Sequence, residues 1–217
     1  PRVAVVATGS EITQEADGLS SGFRRCSNAS YIAALMSRIG VTDIRTIVVP
    51  DDIRQLTRTL VELDAVCDVI ITVGGTGKGK RDYTRHAVSD AGGVFVGHDT
   101  QLDSPFVTAR LPHAGLIGLP GNPLAVMMIV QCVLLESVRS VFHLPEAPAQ
   151  TVEAVMTEDI EAGICGELCV NVNESAAKPL IKGTGRMRVF DSARGFVRLN
   201  GQGIKRGERV RVELFRN

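Results

Sequence analysis

The 217-residue chain is 44% hydrophobic and 22% charged, which is enough to bury a sizeable core and excludes disordered, collagen-like and polyionic classes. Its formal net charge is zero but unevenly spread: residues 178–217 carry 11 Lys/Arg against 3 Asp/Glu, and residues 1–177 carry 13 against 21. That asymmetry marks a boundary ahead of the tail, yet the basic residues are interleaved with apolar ones as on a strand's solvent face, so no nucleic-acid partner is expected. Five scattered cysteines point to a reduced chain, and Cys165 and Cys169 have no second Cys or His pair to complete a structural zinc site. Without a signal-peptide pattern or an apolar run of bilayer length, the expected location is the cytoplasm, with no membrane partner.

The chain starts at Pro1 directly in a strand and reads as a fragment lacking an N-terminal part. Residues 3–7 are a buried-strand run ending in Thr8-Gly9-Ser10-Glu11, a strand-to-loop junction with a carboxylate. Residues 13–25 lack periodicity and read as a surface loop. Asn28 is expected to cap a helix over 29–39, with Ile32, Leu35, Met36 and Ile39 on one face and Gly40 closing it. A second strand, 44–49, ends at Pro50-Asp51-Asp52. One of the two aspartates caps the next helix, and the other points from the strand end toward Glu11 and Asp82.

Residues 69–84 organise the rest. Val69-Ile70-Ile71-Thr72-Val73 is β-branched and too brief for a helix, so it reads as a buried parallel strand. Gly74, Gly75, Gly77 and Gly79 let the backbone bend sharply and approach a ligand, and consecutive free N–H groups can form an anion nest. Thr76 offers a hydroxyl, Lys78, Lys80 and Arg81 can neutralise phosphate, and Asp82 can hold a divalent cation. The loop has neither the Walker nor the dinucleotide-binding spacing. A side chain at Gly75 is expected to obstruct a phosphate more than the fold.

Strands around 106–109 and 115–119 follow, the second ending in Pro120-Gly121-Asn122-Pro123. Asn122 caps a buried helix over 124–141 with Pro123 at its first position, and that N-terminus is a ready anion site. Strand alternating with helix predicts a doubly wound, mostly parallel α/β domain over 1–145. After a Pro-rich linker, short runs at 151–156, 167–172, 195–199 and 209–215 predict a small antiparallel β domain over 149–217, a barrel or sandwich.

The set Thr8-Gly9-Ser10-Glu11, Val49-Pro50-Asp51-Asp52, Gly74-Gly75-Thr76-Gly77 with Arg81-Asp82-Tyr83-Thr84, and Gly118-Leu119-Pro120-Gly121-Asn122-Pro123 resembles, in order and spacing, the molybdenum-cofactor biosynthesis superfamily. The element order and the tail, with Gly183-Thr184-Gly185 and Ala193-Arg194-Gly195-Phe196, resemble the last two domains of the molybdopterin molybdenumtransferases, whereas the glycine loop is closer to that of molybdopterin adenylyltransferases. The resemblance implies a molybdopterin ligand, free or adenylated, magnesium, ATP in an adenylyl-transfer reaction, and a homo-oligomer. It assigns Thr8, Gly9, Gly74, Gly75, Thr76, Gly77, Lys78, Arg81, Pro120, Gly121 and Asn122 to the pterin phosphate. Glu11, Asp51 and Asp82 are implied in chemistry, Asp51 and Asp82 also as metal ligands.

Molybdenumtransferases carry a Lys-Pro-Gly-Lys-Pro segment where this chain reads Gln101-Leu102-Asp103-Ser104-Pro105. Losing both lysines removes charge that an oxyanion needs, unless Lys78, Lys80 or Arg110 replaces it. Two function classes follow: a magnesium-assisted transferase acting at the pterin phosphate, or a binding module, carrier or sensor, that keeps the pocket without the chemistry. A pyridine-nucleotide-recycling enzyme on the same domain fits the tail less well.

Overall fold

The computed structural model describes residues 1–10, 12–13, 24–75, 83–96, 106–145, 150–180 and 192–216. Up to residue 145 the elements are β1 (Arg2–Thr8), β2 (Ile12–Thr13), β3 (Arg24–Arg25), α1 (Ser27–Arg38), β4 (Asp43–Val49), α2 (Ile53–Asp64), β5 (Val69–Val73), α3 (Tyr83–Asp90), β6 (Val94–Val96), β7 (Val107–Arg110) and β8 (Gly115–Leu119). A long helix closes this unit as α4 (Pro123–Ile129), a π-helical turn (Val130–Leu134) and α5 (Leu135–Val141).

The main sheet has the order β4-β1-β5-β8-β7-β6. Its first four strands are mutually parallel, and β7 and β6 run antiparallel to their neighbours. Every residue from Val3 to Ala7 is at most 1% exposed, and Ile70 to Val73 are buried, because a parallel strand covered on both faces must be apolar throughout. On one face, Leu56, Leu60 and Leu63 of α2 and Ala87 and Val88 of α3 share a core with Ala4, Val6, Ile70 and Leu116. The alternate strand residues face the other layer, where α1 buries Ile32, Leu35 and Met36. The sheet is thus covered on both sides, as the alternation of strands and helices predicts.

The amino edge of the sheet is fastened by carboxylates. Asp64, 8% exposed, accepts from His113 N (3.0 Å) and Ala114 N (2.8 Å) and fixes the β7–β8 turn. Asp68 accepts from Arg2 through both backbone (2.7 Å) and guanidinium (2.7 Å). These acids are spent on architecture.

The β-rich part contains β9 (Thr151–Met156), β10 (Cys165–Asn173), β11 (Ala176–Pro179), β12 (Gly195–Asn200) and β13 (Arg209–Leu214), closed in the order β10-β11-β9-β13-β12. Met156, Val170, Ala177, Val197, Leu199, Val210 and Val212 fill its interior, the inward half of each alternating strand. It is a closed barrel in which one pair, β11 with β9, is parallel. On the outside, Arg198 bridges Glu213 (2.8 Å) and Glu167 (3.3 Å).

Several elements depart from expectation. Asn28 is not a cap: α1 starts at Ser27, two residues before the expected start, its cap position is Cys26, and no side chain caps it. The expected loop over 13–25 has described ends that pair, Ile12 with Arg24 and Thr13 with Arg25. The edge strand β6 escaped notice because three residues after Gly92-Gly93 are too few to show a period. The helix Pro123–Val141 is long and apolar enough by composition to cross a membrane, contrary to the expectation that no run reaches that length, but 61% of its apolar window is buried in the protein.

All five cysteines are free thiols, with Cys165 exposed and Cys67 and Cys169 buried. Burial pushes the Cys169 thiol up to about 12. Alkylation of the native protein at pH 8, mapped by mass spectrometry, is therefore expected to modify Cys165 first and Cys67 and Cys169 only on unfolding. Equal rates at Cys165 and Cys169 would contradict the closed barrel.

Candidate functional site at the carboxyl edge of the sheet

Register sets four strand ends level. Thr8 pairs with Val49, Ala7 with Val73, and Val73 with Leu119, so the turns after β4, β1, β5 and β8 stand side by side. A ligand of an open α/β sheet binds at such an edge.

The central turns are packed too tightly for side chains. A β-carbon on Gly74, whose φ is +101°, would lie 2.6 Å from Thr8 Oγ1 and 2.8 Å from the Thr8 carbonyl oxygen. Thr8 Oγ1 donates to the Val73 carbonyl (3.2 Å), and Gly74 N donates to Leu119 O (2.9 Å), tying β1, β5 and β8 together where they end. Gly75, with φ +65°, would place a β-carbon 2.8 Å from Thr84 Oγ1. A side chain at Gly75 therefore meets the protein itself, so its glycine serves the fold as well as any ligand. Thr84, in the first turn of α3, donates its hydroxyl to Gly74 O (2.9 Å) and its N–H to Gly75 O (3.3 Å).

On the other side of β1, Ser10 N donates to Asp51 Oδ2 (3.5 Å) and Asp51 N donates to Ser10 Oγ (3.2 Å). Gly9 N donates to Val49 O (3.2 Å). Asp52 is the cap of α2, accepting from Gln55 N at 2.8 Å. Asp51 is left facing the β1 turn. Beyond β8, Asn122 Oδ1 accepts from Leu124 N (3.0 Å) and Ala125 N (3.4 Å), with Pro123 opening α4.

The structure thus brings Thr8, Gly9, Asp51, Gly74, Gly75, Pro120, Gly121 and Asn122 to one edge. Glu11, Thr76, Gly77, Lys78, Arg81 and Asp82 lie outside the described residues, as do Lys80 and the segment from Gln101 to Pro105. Their flanking residues are at the same edge. Ile12 N donates to Gly9 O (3.2 Å), Gly75 is clamped to Thr84, and Val96 pairs with Thr108 while Val107 pairs with Gly118. Arg110, by contrast, pairs with Gly115 at the opposite end of β8, roughly 13 Å from Leu119 at a strand rise of about 3.3 Å. It is removed from the candidate cations.

Among the described residues no three His, Cys, Asp or Glu side chains gather as a metal site. One exposed carboxylate beside a glycine turn still suits magnesium, which is held by one or two carboxylates together with substrate phosphates. Sequence reasoning missed the Ser10–Asp51 clasp and the Thr84 clamp, although all three residues stand inside the motifs. It also assigned Asn28 to its own helix, whereas Asn28 Nδ2 donates to Gly121 O at 3.1 Å.

Fold and edge together define a ligand-binding doubly wound α/β domain followed by a small β-barrel. Residues 4–140 match the family described as the probable molybdopterin binding domain, and the chain belongs to it. It is 27% identical over 128 residues to the molybdopterin molybdenumtransferase of Haemophilus influenzae, 58% of this chain and 32% of that protein. It is 28% identical over 143 residues to the molybdenum cofactor synthesis protein cinnamon of Drosophila melanogaster, 64% of this chain and 24% of that protein. The crystal structure of the molybdopterin biosynthesis moeA protein from Pyrococcus horikoshii superposes over the whole chain with a TM-score of 0.82 at 24% identity, which shows the shared fold, and 55% of that chain is covered. The chain spans well under half the length of these curated relatives, 24% of the Drosophila protein, 32% of the Haemophilus protein and 41% of a Mycobacterium tuberculosis molybdopterin molybdenumtransferase.

Proposed function

We propose that the carboxyl edge receives the terminal phosphate of molybdopterin, free or adenylated, and that the chain catalyses a magnesium-assisted transfer at that phosphate. The observation that carries this reading is the convergence of the described parts of four motifs, Thr8-Gly9-Ser10, Pro50-Asp51-Asp52, Gly74-Gly75 and Pro120-Gly121-Asn122, on the ends of four adjacent parallel strands. The turns at Gly9, Gly74-Gly75 and Pro120-Gly121-Asn122 receive the ligand, Thr76 and Gly77 donate hydrogen bonds to it, and Lys78 and Arg81 neutralise its charge. Magnesium, when bound, offsets charge developing on the phosphoryl oxygens. Asp51 and Asp82 would hold it, Glu11 and Asp82 orient the reacting group, and Thr8 supports the Gly74 turn. Five free thiols suit a cytoplasmic location, and self-association into a homo-oligomer belongs to the same reading.

The direct test is whether purified protein with magnesium and ATP converts molybdopterin to an adenylate. Asp82→Ala is expected to abolish turnover while changing folding stability by no more than ~1 kcal/mol, the scale of one capping contribution. Unchanged turnover in that variant would remove Asp82 from the chemistry. A second reading, a carrier or sensor module, is favoured by Gln101 and Ser104 at the two lysine positions. It predicts molybdopterin binding by the wild-type chain without conversion.

A further inference from the structure

The helix that begins at Pro123 offers fewer anion donors than its sequence suggests. Pro123 has no N–H, Leu124 and Ala125 donate to Asn122 Oδ1, and Val126 N donates to Asn122 O at 3.0 Å. The N–H groups remaining at this corner are those of Gly121 and Asn122, and neither has an acceptor among the described residues. The cap that forms the helix uses up the donors its N-terminus would otherwise present, so the orientation of the turn peptide matters more than the helix.

That orientation is held from 93 positions away, where Asn28 Nδ2 donates to the Gly121 carbonyl at 3.1 Å. The Gly121–Asn122 peptide is trans, so its carbonyl and the Asn122 N–H point in opposite directions across one plane, and anchoring the first aims the second. With glycine on one side, an unanchored peptide turns over easily. Turned over, it would present a carbonyl dipole to an anion in place of a donor. A carbonyl accepts only, so an amide can hold it and an isosteric carboxylate cannot.

The rest of α1 keeps Asn28 in place. Its cap position makes no side-chain bond, so the Asn28 amide is spent on the Gly121 turn instead of on its own helix. One turn further, Tyr31 Oη accepts from Gln131 Nε2 at 3.0 Å, and Gln131, 8% exposed, sits in the π-helical turn. A π turn shifts the helix phase locally, and here it is the segment that carries Gln131 to α1. Burial pushes the Tyr31 phenol upward, so it stays a neutral partner at physiological pH.

We propose that Asn28 is a positioning residue for the phosphate site: it holds the Gly121–Asn122 peptide so that the Asn122 N–H is presented to the anion. This rests on the reading of that turn as part of a phosphate-binding edge. The test compares wild type, Asn28→Asp and Asn28→Ala by calorimetry with molybdopterin and with a phosphate-free pterin. In parallel, the Asn122 amide is followed by 15N NMR during titration with inorganic phosphate. Affinity for the phosphate-bearing pterin should fall about ten- to hundredfold in both variants, as expected for a charge-assisted donor, while affinity for the phosphate-free pterin stays unchanged. Equal losses for the two ligands, or no loss, would overturn the proposal. If wild type binds neither pterin, the functional reading fails, and the titration still decides the role of Asn28. Phosphate should shift the Asn122 resonance in wild type and leave it in place in Asn28→Asp. A resonance unmoved in wild type, or moved equally in both, would overturn it.

Discussion

Replacing Gly74 with alanine is expected to destabilise the protein by about 3–5 kcal/mol, among the largest effects of a single methyl group. Two costs combine. At φ +101° an L-residue is strained by roughly 1–3 kcal/mol. The added carbon would also stand 2.6 Å from Thr8 Oγ1 and 2.8 Å from the Thr8 carbonyl. The hydroxyl could rotate away only by giving up its bond to Val73 O, and the carbonyl belongs to a strand end fastened on both sides. Gly40→Ala is the control, because its φ of +96° is nearly the same and nothing lies within 4 Å of the added carbon. Urea denaturation should give Gly40→Ala only the strain cost. If the two variants unfold at the same midpoint, Thr8 yields freely and the close packing of β1 against the β5 turn is not required.

The sequence made this edge legible where local chemistry and tertiary demand coincide. Five β-branched residues from Val69 to Val73 can hardly be anything but a covered strand, and Asn122 with Pro123 is a cap that works in any context. Register then followed, because parallel strands joined by short helices must end on one side. What was not legible depends on partners distant in sequence. Asn28 looks like a cap, and only the approach of the β8 turn gives its amide a carbonyl instead. Asp64 looks like a surface acid at a helix end, until the β7–β8 turn brings two N–H groups to it. The strand Ala176–Pro179 carries no alternation long enough to read, and its parallel pairing needs the whole barrel. Of the proposed site, the turns at Gly9, Gly74-Gly75 and Gly121-Asn122 lie within the described residues, and Glu11, Thr76 to Asp82 and Gln101 lie outside them.

Molybdate is where this chain should part from the molybdenumtransferases it resembles. A dianionic oxyanion needs charge-assisted donors, each worth roughly 1.5–3 kcal/mol, and the two lysines that the resemblance leads one to expect are Gln101 and Ser104. Losing both should weaken oxyanion binding by about 10² to 10⁴, taking ~1.4 kcal/mol per tenfold. Gln101 and Ser104 lie outside the described residues, and the strands on either side of them end beside β8 near the glycine turns, Val96 pairing with Thr108 and Val107 with Gly118. Arg110 offers no replacement, since its strand runs away from that edge toward Gly115. The protein is therefore expected to bind molybdopterin and to show no saturable dependence on molybdate at physiological concentrations. Restoring both lysines, as Gln101→Lys with Ser104→Lys, should recover molybdate binding measured by calorimetry in the presence of the pterin. Tight molybdate binding by the unaltered chain would instead assign the cation to Lys78 or Lys80, and Lys78→Ala with Lys80→Ala would then have to abolish it.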